Sequence, residues 1–70
     1  MKVGEMIKLK AKEGASNRTK NRVREHGNSN FEVCRGPQHV ISVPTAAVLL
    51  KTDRWFGWLP LNEIEVVDDN

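Results

Sequence analysis

Short stretches of alternating hydrophobic and polar residues run through most of the chain. In residues 5–11, apolar side chains at every second position alternate with lysines, which is the period of a strand with one buried face. Further strands are predicted at 31–35, 39–43, 46–51, 54–60 and 64–67. The 46–51 and 54–60 strands should form a hairpin, because an aspartate lies in the turn between them. Five or six short strands in one small chain predict a mainly β fold, a single small β-barrel, since closure removes exposed sheet edges.

One segment breaks this alternation. Residues 15–26 are mostly long polar side chains without glycine or proline, which predicts a short helix with Ser16 or Thr19 as N-cap and Gly27 as its stop. Its only apolar residues are Ala15 and Val23, too few for a packed stripe. We therefore expect a basic helical insertion, within residues 11–30, that lies on the surface and adds little to the core.

Length and cysteine content limit the other possibilities. Seventy residues make one domain, 1–70, whose acidic end at 68–70 should fray. One cysteine, Cys34, cannot close an internal disulfide, and with His26 and His39 it has no metal-ligand spacing. No run approaches the roughly 20 apolar residues of a membrane span, and the N-terminus does not have the pattern of a signal peptide. These features predict a cytoplasmic protein, monomeric by default, without metal, cofactor or membrane contact.

Charge is distributed unevenly along the chain. Residues 1–26 carry eight basic and three acidic side chains, a net charge of +5, and residues 27–70 carry three basic and six acidic, a net charge of −3. Such asymmetry bears on partners rather than on fold. The candidate polyanion-binding residues are Arg18, Lys20, Arg22 and Arg24 of the insertion, together with the lysine stripe Lys8, Lys10 and Lys12.

On a helix, residues 18 and 22 share one face and residues 20 and 24 share another. The four charges therefore spread around the helix, a distribution that suits contacts with phosphates more than readout of bases. The alternative is a solvated surface whose charge is balanced by the acidic second half.

Aromatic residues cluster near the end of the chain. Strand alternation places Trp55 and Leu59 on one face, predicted to point inward, and Phe56 and Trp58 on the other. Phe56 and Trp58 are therefore candidates for a partly exposed stacking or protein-docking surface. The alternative is that both pack against the insertion or against the loop at 36–45.

Two segments resemble SH3 domains. Residues 57–64, Gly-Trp-Leu-Pro-Leu-Asn-Glu-Ile, resemble the closing segment of that fold, which typically reads Gly, two apolar residues, Pro, any residue, Asn, Tyr, Val. Residues 3–9 are similar to its Gly-Asp/Glu-x-apolar-x-apolar strand. The resemblance implies an SH3-like barrel.

The same resemblance carries a departure that bears on ligands. Glu63 stands where peptide-binding SH3 domains have tyrosine, and the chain has no tyrosine at all, so binding of proline-rich peptides is not expected. The chain as a whole is similar to small SH3-like proteins of tailed bacteriophages, which would place it in the host cytoplasm.

Catalysis is not expected. Cys34 and His39 are the only nucleophile and base at suggestive spacing, and no residue that would orient them is predictable. The preferred hypothesis is a non-enzymatic module that binds nucleic acid, or another polyanion, through the basic insertion. The alternative is a protein–protein interaction module, for example a phage factor that docks on a host protein such as a transcription or nucleic-acid enzyme.

Overall fold

The computed structural model describes residues 2–26 and 30–67. Gly27, predicted to stop the helix, and the acidic end at 68–70 lie outside the described residues. The fold is mainly β with one short helix, as predicted. Its elements are, in chain order, β1 (Met6–Ala11), α1 (Asn17–Glu25), β2 (Phe31–Val40), β3 (Val43–Lys51), β4 (Phe56–Pro60), a 3-10 turn (Leu61–Glu63) and β5 (Ile64–Val67).

The five strands form one antiparallel sheet in the order β4-β3-β2-β1-β5. β1 is shared between two partners: Met6 and Ile7 pair with β2, and the rest of the strand pairs with β5. Within residues 2–26 and 30–67, no backbone pairing joins β4 to β5, so the hydrogen-bonded sheet is not closed. Closure into a barrel therefore stays a prediction.

The predicted strand at 39–43 is wrong, because these residues contain the turn of a longer hairpin. β2 continues through Pro37 to Val40, the chain turns at residues 41–42, and β3 begins at Val43. Register shifts along β2, between Arg35 and Gln38 among other places, show how the strand accommodates a proline, which has no N–H to donate to a ladder.

The hairpin of β3 and β4 is confirmed, with Lys51 opposite Phe56. Its loop is closed by the Thr52 N–H, which donates to the Trp55 carbonyl at 2.7 Å. The Thr52 hydroxyl in turn accepts a hydrogen bond from the Arg54 N–H at 3.2 Å. Buried Thr52 thus supplies the turn geometry for which the sequence offered only the neighbouring Asp53.

A single hydrophobic core lies on the inner face of the sheet. Its residues come from all five strands and from α1, and they are Ile7, Leu9, Val23, Phe31, Val33, Val48, Leu50, Leu59 and Ile64.

The composition of the helix predicts a surface element that adds little to the core. The structure corrects this prediction, because the helix contributes to the core. Val23 is 7% exposed within the core, and Thr19, one turn earlier, is 1% exposed. A stripe of one valine and one threonine is enough because the helix is only nine residues long, so that two successive turns make its whole inner face.

Candidate functional site

The start of α1 is held by a hydrogen-bond network that reaches across the chain. Ser16 is the N-cap, and its Oγ accepts a hydrogen bond from the Thr19 N–H at 3.4 Å. The Ser16 backbone N–H and its hydroxyl each donate to Glu63 Oε1 at 2.8 Å. The helix is thereby attached to the turn before β5, 47 residues away in sequence.

These hydrogen bonds also favour the charged form of Glu63. Donation from the Ser16 backbone N–H, and then from its hydroxyl, holds the pKa of Glu63 below its ordinary value. In the sequence, Glu63 stands out only as a replacement for a tyrosine, which does not indicate this role. A carboxylate far along the chain gives no local signal that it will cap a helix.

The end of α1 is attached to the core through Trp55. The Trp55 ring stacks on His26, with centroids 5.9 Å apart and planes at 22°, and meets the edge of Phe31 at 6.3 Å. The guanidinium carbon of Arg22 lies 5.1 Å from the centroid of the same ring, within cation–π distance. The predicted inward orientation of Trp55 is confirmed, since it packs against the core.

The basic residues of α1 lie on two flanks of the helix. Because Thr19 and Val23 face inward, Arg18 and Arg22 lie on the flank toward β4, and Lys20 and Arg24 lie on the opposite flank. This is the division that the sequence predicted.

Two of these four side chains already have partners. Arg22 forms an ion pair with Glu25 at 3.4 Å in addition to its contact with Trp55. The Arg24 Nη2 donates to Asn21 Oδ1 at 2.7 Å. Across residues 2–26 and 30–67, Arg18 and Lys20 have no acidic partner.

The lysine stripe is separate from the helical charges. Lys8 and Lys10 lie on the outer face of β1, while Val23 packs on its inner face. Lys10 forms an ion pair with Glu65 of β5 at 3.0 Å, so the strand's positive charge is partly offset. Lys8 and Lys10 therefore lie on the opposite face of β1 from the helix, and Lys12 lies just beyond the end of the strand.

A groove of about 440 Å³ lies between the start of α1, the β2–β3 turn and β4. Arg18 and Trp58 both line it, with Trp58 half-buried. The groove therefore combines an aromatic ring with a cation that has no acidic partner in the described part of the chain. Its apolar lining consists of Val43, Pro44, Trp58, Leu59 and Pro60.

Phe56, the other candidate for a stacking surface, lies apart from this groove. It is 62% exposed and stands opposite Lys51, at the far end of the β3–β4 hairpin from Pro60. The prediction that Leu59 points inward and Phe56 outward is confirmed. Of the two aromatic candidates, the structure brings Trp58 alone beside the basic helix.

A second groove lies at the other end of the sheet, between the start of β1 and the end of β5. Met6, Val66 and Val67 supply its exposed apolar side chains. Its charged residues are one acid, Glu5, and one base, Lys8, and the described residues that line it include no aromatic ring.

Cys34 and His39 are not brought together. Both lie on β2, five positions apart, which on an extended strand is about 16 Å. Cys34 is half-buried, with its Sγ 3.8 Å from the Glu32 carbonyl oxygen.

No family model, curated protein or solved structure matches the chain. Among residues 2–26 and 30–67, no helix is long and apolar enough to cross a membrane. The same residues contain no cluster of three or more histidine, cysteine or acidic side chains suited to a metal ion.

Proposed function

We propose that this protein is a non-enzymatic module that binds nucleic acid through the β4-facing flank of α1 and the adjoining groove. The observation that carries the proposal is the shared groove of Arg18 and Trp58. Nucleic-acid-binding surfaces combine cations for the phosphates with aromatic rings on which bases stack. The remaining exposed cations of the helix, Lys20 and Arg24, add to the attraction without specifying sequence.

We also propose that the sheet curls as an SH3-like barrel, of the kind found in small proteins of tailed bacteriophages. Support comes from β1, which pairs with β2 at its start and with β5 along the rest of its length. In a small, strongly coiled sheet, one strand pairs with a different neighbour along each half of its length, so that both parts of the sheet pack around a common core. A phage origin would place the protein in the host cytoplasm.

The second candidate function is docking on a host protein, and one observation favours it. Phe56 leaves 62% of its surface exposed, and exposed aromatic residues are common anchors at protein interfaces. Among the described residues no ring contact involves Phe56, whereas Trp58 shares a groove with Arg18, so we place this function second.

The proposal is tested by fluorescence anisotropy of labelled single- and double-stranded DNA and RNA at two salt concentrations. The variant combines Arg18→Ala, Lys20→Ala and Arg24→Ala, leaving Arg22 in place because it packs on Trp55. The expected result is binding at low salt that the triple variant weakens strongly. The salt dependence should also become shallower, since each lost phosphate contact removes about 0.7 to 0.9 from the slope of log K against log salt.

The matched control is Lys51→Ala, an exposed lysine at the opposite end of β3 from the groove. It should change affinity far less than the triple variant. Absence of binding at low salt would refute the proposal, and so would a triple variant with the affinity and salt slope of the wild type.

A further inference from the structure

We infer that the groove beside α1 takes one unstacked base of a single-stranded nucleic acid, which stacks on Trp58 while Arg18 contacts the adjacent phosphate. This inference rests on the proposed function and goes further, because it names the form of nucleic acid and the two residues that distinguish it. Neither follows from the basic charge of the helix alone.

The groove has the size and lining of a site for one flat apolar group. Its volume of about 440 Å³ falls within the 300–1,000 Å³ typical of small-ligand pockets. Trp58 and the rings of Pro44 and Pro60 supply rigid apolar walls. A base stacked on an aromatic ring uses such a surface whatever its identity, so little sequence preference is expected.

The charged residues of the groove set the orientation of the bound single-stranded nucleic acid. Glu63 lines it as well, and its hydrogen bonds from Ser16 stabilise the negative form, which repels a phosphate. The Glu63 carboxylate lies at the start of α1, where the Ser16 N–H and hydroxyl donate to it, so an anion at this terminus would meet a negative charge. The phosphate contact therefore falls to Arg18, and the neutral base lies toward Glu63.

Glu63 also disfavours an acidic peptide as the occupant. A carboxylate side chain inserted into the groove would meet the Glu63 carboxylate, whereas a base carries no charge. A single-stranded nucleic acid avoids this repulsion when its phosphate contacts Arg18 at the rim of the groove.

A duplex fits this surface poorly for two reasons. Trp58 is half-buried within the groove, and bases stacked inside a duplex cannot reach a recessed ring without being flipped out. The outer ridge of α1, between its two basic flanks, carries Asn17, Asn21 and Glu25. A duplex backbone laid across that ridge would meet the exposed carboxylate of Glu25.

The test compares a labelled single strand of about eight nucleotides, a typical footprint for a small module, with the matching duplex. The variants are Trp58→Leu, which keeps an apolar side chain, Trp58→Phe, which keeps a ring, and Arg18→Gln. The controls are Lys20→Gln, on the opposite flank of the helix, and Phe56→Leu, an aromatic residue outside the groove. Circular dichroism confirms that each variant is folded.

The expected result is preference for the single strand over the duplex. Trp58→Leu should weaken binding about ten-fold, within the range for loss of one stacked base, and Trp58→Phe should restore most of it. Arg18→Gln should lower the salt slope by about 0.7, while Phe56→Leu leaves affinity unchanged and Lys20→Gln has a smaller effect. If Trp58→Leu does not fold, Arg18→Gln still tests the inference, because an effect on the salt slope no larger than that of Lys20→Gln would contradict the phosphate contact at Arg18.

Two failures can be told apart. If the protein binds the duplex as well as the single strand, or if folded Trp58→Leu binds like the wild type, the inference is wrong and the proposed function stands. If neither nucleic acid binds at low salt, both are wrong. Poly-glutamate serves as the acidic peptide probe. If the protein bound poly-glutamate more tightly than the single-stranded nucleic acid, the inference would also be wrong.

Discussion

Replacement of Gly57 by alanine tests whether Trp55 is the rigid link between α1 and the sheet. A Cβ at Gly57 would lie 2.7 Å from Cζ2 of the Trp55 ring and 3.1 Å from its Cε2, where ordinary contacts are 3.4–4 Å. The ring would have to move by roughly 0.7 Å to restore ordinary contact. Such a shift disturbs three contacts of the ring: its stacking on His26, its edge contact with Phe31 and its cation–π contact with the guanidinium of Arg22.

Overpacking of this kind costs typically 1–3 kcal/mol. For a domain of this size, 2 kcal/mol corresponds to a melting temperature about 8–16 °C lower. The assay is thermal unfolding followed by far-ultraviolet circular dichroism, with near-ultraviolet circular dichroism as a readout of tryptophan packing.

Gly36→Ala is the matched control for Gly57→Ala. It is also a strand glycine, but a Cβ there would have no atom within 4 Å. The control should be neutral, or more stable by up to about 1 kcal/mol, because alanine has less backbone freedom to lose. Equal melting temperatures for the two variants would refute the packing described for Trp55.

Three further substitutions test other parts of the fold. Val23→Ala should reduce the free energy of unfolding by about 2 kcal/mol, the transfer of two methyl groups plus a small cavity, and a change in urea denaturation below about 0.5 kcal/mol would contradict the core position of α1. Gly4→Ala should cost about 1–2 kcal/mol in the same assay, because Gly4 has φ +90°. Glu63→Gln should lower stability at pH 7 by up to about 1 kcal/mol. Since folding lowers the pKa of Glu63, its charge stabilises the fold above the unfolded-state pKa and ceases to do so as the pH falls through the folded value. Wild type and Glu63→Gln should therefore converge in acid, and a constant difference at all pH values would contradict the network at Ser16.

Elements with a clear local pattern were predictable from the sequence. β1, the β3–β4 hairpin and β5 follow from alternation and a turn residue, and Ser16 was identified as a possible N-cap. In each case the residues that determine the structure are neighbours in the chain.

Elements that depend on distant contacts were not predictable. Alternation predicts three strands, at 31–35, 39–43 and 46–51, where the structure has the β2–β3 hairpin, because the bulges that accommodate Pro37 arise from pairing with another strand. The composition of α1 does not indicate that the helix packs on the core, because it has one buried valine. That valine can anchor the helix only because a tryptophan from the β3–β4 turn and a carboxylate before β5 hold its two ends in place. Trp55 lies 29 residues from His26, and Glu63 lies 47 residues from Ser16, the two residues that cap α1.

The sequence predicts which residues of α1 carry the positive charge, but it does not predict the groove beside them. The two basic flanks of α1 follow from helical spacing, whereas the groove needed the β2–β3 turn to lie beside β4, which no local pattern indicates. The structure also separates Lys8 and Lys10 from the helix, because strand alternation places them on the outer face while α1 packs on the inner face.

Binding of a base in the groove is tested most directly by titrating the nitrogen-15-labelled protein with a short single-stranded oligonucleotide at low salt, followed by amide and indole chemical shifts. The largest changes should occur at the Trp58 indole N–H and at the amides of Arg18 and Ser42, which line one groove. The amides of Met6 and Val66, in the second groove, should not move. The absence of shifts, or shifts confined to Met6 and Val66, would contradict binding of a base in the groove.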